Sequence, residues 1–325
     1  MSKKVLITGA GGFIGSHLVE RCVQLGFKVK AFVHYNSANR WGWLDNSIHK
    51  KEVEVVSGDI RDFDSIYNCL KNCDTVFHLA ALTGIPYSYI SPLAYIKTNV
   101  EGTYNILEAS RLRDVKNIVI TSTSEVYGSA VYTPIDENHR LFGQSPYSAS
   151  KIAADQLALS YYLSFGLPVK IARPFNSYGP RQSARSIIPA VLTQILSGAK
   201  KIRVGNLNTA RDFTYVSDTV EGIVEISKSS QLFGEVTNIG SNSSLKMVDL
   251  VKLLSDLIGI KVKTVADPSR IRPDKSEVEN LLCNNSKLIR HTSWKPKLNL
   301  EEGLTETIKW FKENHHLYKD EIYNI

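Results

Sequence analysis

The chain has 325 residues, of which 43% are hydrophobic and 22% are charged, a balance typical of a folded protein and not of a disordered chain. Lys and Arg number 39 against 32 Asp and Glu, and the excess is spread evenly over both halves of the sequence. Because no basic tract or tail stands out, the composition argues against a nucleic-acid partner.

Cysteine usage and the uncharged stretches exclude further classes. The four cysteines are Cys22, Cys69, Cys73 and Cys283. Their spacings fit no zinc-site pattern, so we expect no metal. We expect them to be packing residues in the reducing cytoplasm. The uncharged stretch Thr75–Ile96 has the length of a membrane span, but its prolines and polar residues favour a buried strand followed by a loop. No membrane association is therefore predicted.

Short apolar runs alternate with amphipathic stretches in the first half of the chain. The predicted strands are Val5–Thr8, Val29–Val33, Val53–Val56, Thr75–Leu79, Ile118–Thr121 and Val169–Ala172. The helices predicted between them are Phe13–Leu25, Phe63–Lys71, Pro92–Arg111 and Pro146–Phe165. This alternation predicts an α/β fold with a doubly wound parallel (Rossmann) sheet.

The pattern changes after about Phe175, where proline and glycine become more frequent. Helices are predicted at Ser186–Ser197, Val216–Lys228 and Met247–Leu257, with strands at Lys201–Val204 and Val236–Ile239. We expect residues 1–175 to form a dinucleotide-binding domain. Residues 176–325 should form mainly a smaller mixed α/β cap that binds the substrate and is interleaved with the last strands of the sheet.

The segment TGAGGFIG follows the first predicted strand and opens the first predicted helix. Its glycines permit a tight turn and a close approach of the backbone, and the free N–H groups of a helix start attract a pyrophosphate. The residues expected to meet a dinucleotide here are Gly9, Gly12, Phe13, Ile14 and Gly15. The alternative is a glycine-rich turn without a ligand.

The choice between NAD and NADP depends on the residues that follow the second predicted strand. An acidic residue there would bind the ribose of NAD, but the sequence has His34, Ser37 and Arg40, which could contact a 2′-phosphate. The sequence therefore favours NADP over NAD. Asp59 and Ile60, after the third strand, should meet the adenine, although Asp59 could instead cap the next helix.

Tyr147 and Lys151 are four residues apart in a predicted helix and should project from one face. A free tyrosine has a pKa of about 10, too high for a base at neutral pH. A nearby ammonium and an oxidised nicotinamide both favour the phenolate, so the pair could accept a hydroxyl proton. The alternative is two surface residues of a helix.

The second chemical pattern, Thr123-Ser124-Glu125, lies at the carboxyl end of a central predicted strand, where open parallel sheets bind ligands. Thr123 could hydrogen-bond the same substrate oxygen as Tyr147. Hydride transfer alone needs no carboxylate, so Glu125 indicates an additional proton transfer. Its alternative interpretation is a helix-capping or ion-paired carboxylate.

Together, the motifs TGAGGFIGSHL, HLAA (which contains Ala80 and Ala81), STSEVYG and YSASK resemble the extended short-chain dehydrogenase/reductase superfamily. RPFNSYGPRQ, RDFTYVSD and NIGS resemble its nucleotide-sugar-modifying members, and the likeness covers essentially the whole chain. The resemblance implies that Ala80 and Ala81 line the cofactor site.

Within that group, a glutamate after Thr-Ser resembles nucleotide-sugar 4,6-dehydratases. The segments WGWLD, GIPYSYISPLAYIKTNVEGTYNILEA and RPDKSEVENLL look closest to dehydratases of UDP- or GDP-linked N-acetylglucosamine, which serve legionaminic-type sugar pathways. The implied cofactor is a tightly bound, recycled NAD(P).

This resemblance also implies a mechanism. Tyr147, assisted by Lys151 and Thr123, takes the proton of the carbon-4 hydroxyl while the carbon-4 hydride passes to the cofactor. Glu125 then removes the carbon-5 proton, the carbon-6 hydroxyl leaves as water, and the hydride returns to carbon 6. Related Thr-Asp-Glu enzymes use the aspartate as the acid, whereas this chain has Ser124. Either Glu125 carries that proton itself or Ser124 relays it.

Family position further implies a set of substrate contacts. The diphosphate contacts expected are Arg211, Arg272 and Asn176, with Arg181 and Arg185 as second choices, and the sugar contacts are Pro86 and Tyr87 in the loop Thr83–Tyr89. A homodimer through the helices Pro92–Arg111 and Pro146–Phe165 is also implied. The alternatives are a nucleotide-sugar 4-epimerase, a UDP-glucuronate decarboxylase and, from another class, a non-catalytic dinucleotide sensor.

Overall fold

The short apolar runs become strands in the computed structural model, which describes residues 3–319. The strands are β1 (Lys4–Thr8), β2 (Lys28–His34), β3 (Glu54–Gly58), β4 (Thr75–His78), β5 (Asn117–Thr121), β6 (Val169–Pro174), β7 (Asn176–Tyr178), β8 (Lys201–Val204), β9 (Ala210–Tyr215), β10 (Val236–Ile239), β11 (Ser244–Lys246), β12 (Lys263–Ala266) and β13 (Asn280–Leu281). Among these described residues, one seven-stranded sheet has the order β10-β6-β5-β4-β1-β2-β3, with every neighbouring pair parallel. The predicted doubly wound α/β fold is confirmed.

Helices cover both faces of this sheet. They are α1 (Phe13–Gln24), α2 (Phe63–Cys69), α3 (Ile85–Ile90), α4 (Pro92–Tyr95), α5 (Gly102–Leu112), α6 (Pro146–Phe165), α7 (Ile187–Leu196), α8 (Val216–Lys228), α9 (Met247–Ile258), α10 (Ser286–His291) and α11 (Leu300–Asn314). Successive strand residues point to opposite faces, so Ile7 packs with α1 and α8, whereas Leu6 packs with α2, α5 and α6.

A smaller unit lies beyond the carboxyl end of β6, which leads almost directly into β7. Strand β9 is its centre and pairs with β7, β11 and β13, while β8 pairs with β12. Helices α7, α9 and α11 bury a separate core against these strands. Two later elements return to the large sheet: β10 pairs with β6, and α8 packs against α1.

Two predicted segments differ in detail. The predicted helix Pro92–Arg111 contains a π-helical segment, Ile96–Glu101, between α4 and α5. The predicted loop Thr83–Tyr89 is largely helix α3, because Pro86 stands in the first turn, where proline's fixed φ favours a helix start. The uncharged stretch Thr75–Ile96 thus consists of β4 and short helices. Within residues 3–319, no helix is long and apolar enough to cross a bilayer.

Candidate active site

The glycine-rich turn between β1 and α1 is too closely packed for a Cβ at Gly9 and Gly15. Gly9 has a φ of +67°, and a Cβ there would lie 2.8 Å from the backbone nitrogen of Ala80. A Cβ at Gly15 would lie 2.1 Å from the carbonyl oxygen of Gly9. The α1 N-terminus has no side-chain cap, and the first-turn N–H groups of Phe13 and Ile14 have no intrahelical acceptor. The predicted cradle therefore fits a dinucleotide pyrophosphate.

A segment that sequence reasoning missed lies over this turn. The backbone N–H of Trp43 donates to the carbonyl of Gly11 at 3.0 Å, and a Cβ at Gly11 would lie 2.3 Å from the carbonyl oxygen of Trp41. The Trp43 ring packs against Trp310 and Tyr318 near the end of the described chain. The two tryptophans of WGWLD were the sequence signal for this contact, but they could not identify the partner, because Trp310 lies far along the chain in α11.

The predicted ribose and adenine contacts occupy the neighbouring strand ends. His34 ends β2, Ser37 and Arg40 follow it, and all three are exposed. The carboxylate of Asp59 accepts hydrogen bonds from Arg61. These bonds lower the pKa of Asp59 to about 2, although burial acts in the opposite direction. The next helix is capped by Asp62 and not by Asp59, which removes the capping interpretation. Ile60 is buried.

Tyr147 and Lys151 lie in the first turns of α6, which starts with a capping box at Ser145. Burial raises the pKa of the Tyr147 phenol, and a hydrogen bond with the Thr123 side chain partly opposes that shift. Burial also lowers the pKa of Lys151, whose Nζ donates to the carbonyl of Thr121 at 2.7 Å. The structure thus brings together the predicted Thr-Tyr-Lys group, with both titratable groups shifted towards their neutral forms.

Behind this group lies a buried polar network that the sequence analysis did not include. Asp155, one turn after Lys151, accepts hydrogen bonds from Arg173 at 2.7 Å and from Ser122 at 2.5 Å. Arg173 also donates to the hydroxyl of Tyr127 at 2.8 Å. The only signals in the sequence were two charged residues: Asp155, four residues after Lys151, and Arg173, in an apolar strand.

Glu125 lies beside the same group and close to two other charged residues, Arg272 and Glu277. Its backbone N–H donates to the Thr123 hydroxyl at 3.3 Å, and its Oε2 lies 3.8 Å from Nη1 of Arg272. That nitrogen also lies 3.7 Å from Oε1 of Glu277, a residue that sequence reasoning missed. Ser124 is buried.

A cleft of about 370 Å³ connects these residues with the cap. The predicted residues that line it are Pro86, Thr123, Glu125, Tyr147, Asn176, Arg185, Arg211 and Arg272. Three buried polar atoms of lining residues, Oδ1 of Asn176, Oε1 of Gln182 and Nη1 of Arg272, have no hydrogen-bond partner among the described residues. Polar atoms of this kind are normally satisfied, so the cleft is suited to a polar ligand.

Other predicted contacts lie elsewhere. Arg181 has a φ of +70° and turns towards α1, where its guanidinium contacts Glu20 at 3.0 Å and Ser16 at 3.2 Å. Tyr87 packs against Tyr95. Ala80 lies beside the glycine-rich turn, its N–H donating to the Thr8 hydroxyl at 3.2 Å, and Ala81 follows it. In the described part of the chain, no cluster of His, Cys, Asp and Glu is arranged to hold a metal ion.

Comparison with known proteins identifies a matching family and several similar proteins. The model of a family described as GDP-mannose 4,6 dehydratase matches residues 6–307. The dTDP-glucose 4,6-dehydratase of Streptomyces antibioticus is 34% identical, over 95% of this chain and 92% of its own. The UDP-N-acetyl-alpha-D-glucosaminuronate decarboxylase of Bacillus cytotoxicus is 33% identical, over 96% and 99%. The dTDP-glucose 4,6-dehydratase of Streptomyces venezuelae, solved with NAD bound, superposes with a TM-score of 0.88 at 29% identity, covering 97% of this chain and 99% of that one.

Proposed function

This chain belongs to the GDP-mannose 4,6-dehydratase family, within the nucleotide-sugar-modifying extended short-chain dehydrogenases, and we propose that it dehydrates UDP- or GDP-linked N-acetylglucosamine to the 4-keto-6-deoxy sugar. The observation that carries the proposal is the carboxylate of Glu125 in the same cleft as Thr123 and Tyr147. A 4-epimerase transfers the carbon-4 hydride and needs no such base.

Each catalytic step is assigned to one side chain. Tyr147, hydrogen-bonded to Thr123, accepts the proton of the carbon-4 hydroxyl. Lys151 is anchored on the Thr121 carbonyl, and its ammonium favours the phenolate form of Tyr147. When bound, the nicotinamide ring stores the hydride that leaves carbon 4 and returns to carbon 6.

Glu125 removes the proton at carbon 5, which the carbon-4 ketone has made acidic. The carbon-6 hydroxyl then needs a proton to leave as water. Ser124 is buried, whereas Glu125 lines the cleft, so we propose that the carboxyl group of Glu125 delivers the proton it has just taken. When the hydride returns to carbon 6, carbon 5 regains a proton from solvent, and Tyr147 releases to solvent the proton it took from the carbon-4 hydroxyl, so the net change is the loss of one water.

The diphosphate is assigned to the cap side of the cleft. Arg211 is buried, and Nη1 of Arg272 makes no hydrogen bond among the described residues, so both guanidinium groups have donors suited to phosphate oxygens. Asn176 lines the same cleft. We propose no diphosphate role for Arg181, which is held on α1, and a sugar contact for Pro86 rather than for Tyr87.

The cofactor is proposed to be a tightly held NAD(P). The solved Streptomyces venezuelae neighbour carries NAD, so the preference for NADP drawn from His34, Ser37 and Arg40 gains no support from that relative. Denaturing the purified protein and weighing the released dinucleotide distinguishes the two. Recovery of NAD alone would overturn the NADP preference.

The quaternary structure, location and domain division are also proposals. We propose a homodimer because large apolar side chains are exposed on neighbouring helices α4, α5 and α6 and the segment that joins α4 to α5: Leu93, Ile96, Tyr104, Leu163 and Phe165. We further propose a cytoplasmic location and a division into a cofactor-binding part, residues 1–175, and a nucleotide-sugar-binding part, residues 176–325. Residues 1–2 and 320–325 of these parts lie outside the described residues.

One alternative has a specific observation in its favour. The Bacillus cytotoxicus decarboxylase is almost as similar to this chain as the Streptomyces antibioticus dehydratase, and the cationic side chain of Arg185, which lines the cleft, would suit a uronate carboxylate. A uronate substrate would lose carbon dioxide in place of water after the same oxidation at carbon 4.

The test is a panel of UDP-, GDP- and dTDP-linked hexoses, N-acetylhexosamines and their uronates, followed by mass spectrometry without added reductant. We expect an N-acetylglucosamine product lighter by one water. Loss of carbon dioxide from a uronate identifies the decarboxylase, and an unchanged mass with inverted carbon 4 identifies the epimerase.

A further inference from the structure

Two guanidinium groups and two carboxylates meet at the cap side of the cleft. Nη1 of Arg272 lies 3.8 Å from Oε2 of Glu125 and 3.7 Å from Oε1 of Glu277. Nη2 of Arg211 lies 3.6 Å from the same Oε1 of Glu277. Glu277 therefore contacts both arginines that are assigned to the diphosphate, and Arg272 is shared between Glu277 and Glu125.

These ion pairs are loose. All three N···O separations exceed the length of a charge-assisted hydrogen bond, about 2.7–2.9 Å. Nη1 of Arg272 is buried and has no hydrogen-bond partner among the described residues. A buried donor of this kind loses its hydration without gaining a full hydrogen bond. The carboxylates therefore offset the positive charge of Arg272 but leave its Nη1 without a short hydrogen bond.

Hydrogen bonds and packing hold the backbone around Glu277, which keeps its side chain at the cap side of the cleft. The Glu277 carbonyl accepts hydrogen bonds from Ser129 and Gln144 at 3.4 Å. The neighbouring Ser276 donates to the Gln144 carbonyl at 2.6 Å, and Val278 is buried in the core. Arg211 is held in turn, since its Nη1 donates to the Ala210 carbonyl at 2.9 Å.

A carboxylate beside two phosphate-binding arginines lowers their affinity for an incoming anion, because both anions compete for the same donors. The carboxylate also keeps the buried guanidinium groups from remaining unpaired, which is costly. We propose that Glu277 is an internal substitute for the substrate diphosphate: it pairs with Arg211 and Arg272 while the site is empty and is displaced from them by the phosphate oxygens.

This exchange, which rests on the proposed function for its substrate, has a consequence for Glu125. Short hydrogen bonds from Nη1 of Arg272 to phosphate oxygens would replace the long contacts that this nitrogen makes with both carboxylates. When the diphosphate draws Arg272 away, Glu125 loses the cationic neighbour with which it forms an ion pair. Arg272 thereby couples binding of the diphosphate to release of the carboxylate that serves as the base, and Glu277 is a positioning residue for both arginines.

Calorimetric titration of the purified holoenzyme with inorganic pyrophosphate, UDP and GDP tests this exchange. Glu277→Gln removes the competing charge, and we expect about three- to tenfold tighter binding of pyrophosphate and of the better nucleotide. Glu279→Gln is the matched control, because its side chain is exposed and two residues away. Its affinities should stay at the wild-type values.

Equal or weaker binding by Glu277→Gln would overturn the proposal, since a carboxylate that only supports the arginines would weaken the site when removed. Failure of all three anions to bind the wild type overturns it as well. If Glu277→Gln does not fold, a wild-type crystal structure with the nucleoside diphosphate decides. Arg272 should then contact the phosphates and have moved away from Glu125, and an unchanged Arg272–Glu125 contact contradicts the exchange. Loss of water from the sugar panel is measured separately, so the proposed function can fail while the exchange holds.

Discussion

Arg173 and Asp155 form an ion pair of 2.7 Å between Nη2 and Oδ2, and neither side chain is more than 2% exposed. Burial lowers the pKa of Lys151. Asp155, one helical turn away, opposes this shift because its negative charge favours the ammonium form, whereas the positive charge of Arg173 lowers the pKa of Lys151 further. The pair therefore supports helix α6 and sets part of the electrostatic field at Lys151.

Removing the carboxylate should be strongly destabilising. In Asp155→Asn the guanidinium of Arg173 stays buried without its counter-charge, and we expect the free energy of unfolding to fall by about 3–5 kcal/mol. Urea unfolding measures this loss. Asp256→Asn, on the exposed face of α9, is the control and should unfold like the wild type. A stable Asp155→Asn protein would show that the network is not needed for the fold.

Glu125→Gln should separate the two halves of the proposed reaction. The amide cannot take the carbon-5 proton, so we expect water loss to slow by about a hundredfold or more. Oxidation at carbon 4 should persist, and the absorbance of reduced nicotinamide should accumulate on mixing with the substrate. Glu279→Gln should behave like the wild type in both measurements. Normal product formation by Glu125→Gln would place the base elsewhere.

Leu163→Arg should disrupt the proposed homodimer. Leu163 is 80% exposed on α6, and Phe165 beside it is 58% exposed, so a buried dimer interface would receive an unpaired charge. Light scattering after size exclusion should show a dimer for the wild type and a monomer for the variant. Val248→Arg, which is 48% exposed on α9, should leave the dimer intact. A monomeric wild type would refute the proposed interface.

His17 should make stability depend on pH. Burial, with Arg181 nearby, lowers the pKa of His17 from 6.5 to about 4. Between these values the unfolded chain binds a proton that the folded chain excludes, so the His17 contribution to stability is lost as pH falls through this window. The slope is up to about 1.4 kcal/mol per pH unit.

The comparison of variants isolates this contribution. His17→Gln should lose less stability than the wild type between pH 6.5 and 4, measured as urea midpoints at each pH, while His316→Gln, at an exposed position, should follow the wild type. Parallel curves for wild type and His17→Gln would mean that His17 is protonated in the folded protein as well.

Local patterns predicted the parts of the molecule that local physics determines. The strands and helices of the large sheet follow from apolar periodicity, and the turn at Gly9 and Gly15 follows from glycine spacing next to a strand and a helix. Thr123 and Tyr147 could be placed in one site because parallel strands and their helices bring their ends to the same edge of the sheet.

Contacts between distant segments could not be predicted in this way. Glu277 is one of many glutamates in the sequence, and only the folded cap brings it to Arg211 and Arg272. Likewise, Trp43 is aromatic in a loop, and its packing on Trp310 depends on where α11 lies. The contact of Arg181 with α1 could not be predicted for the same reason: the sequence does not show its left-handed φ or its pairing with the carboxylate of Glu20.

The position of β10 has a consequence for how the protein is made. Among the described residues, β10 completes the edge of the large sheet at β6, and α8 covers part of the apolar face of α1. Translation proceeds at about 5–20 residues per second, so on the order of several seconds separate the synthesis of β6 from that of β10. During that interval the nascent chain exposes an open strand edge and a partly uncovered helix face, which makes the arrival of α8 and β10 the step that a chaperone would most need to protect.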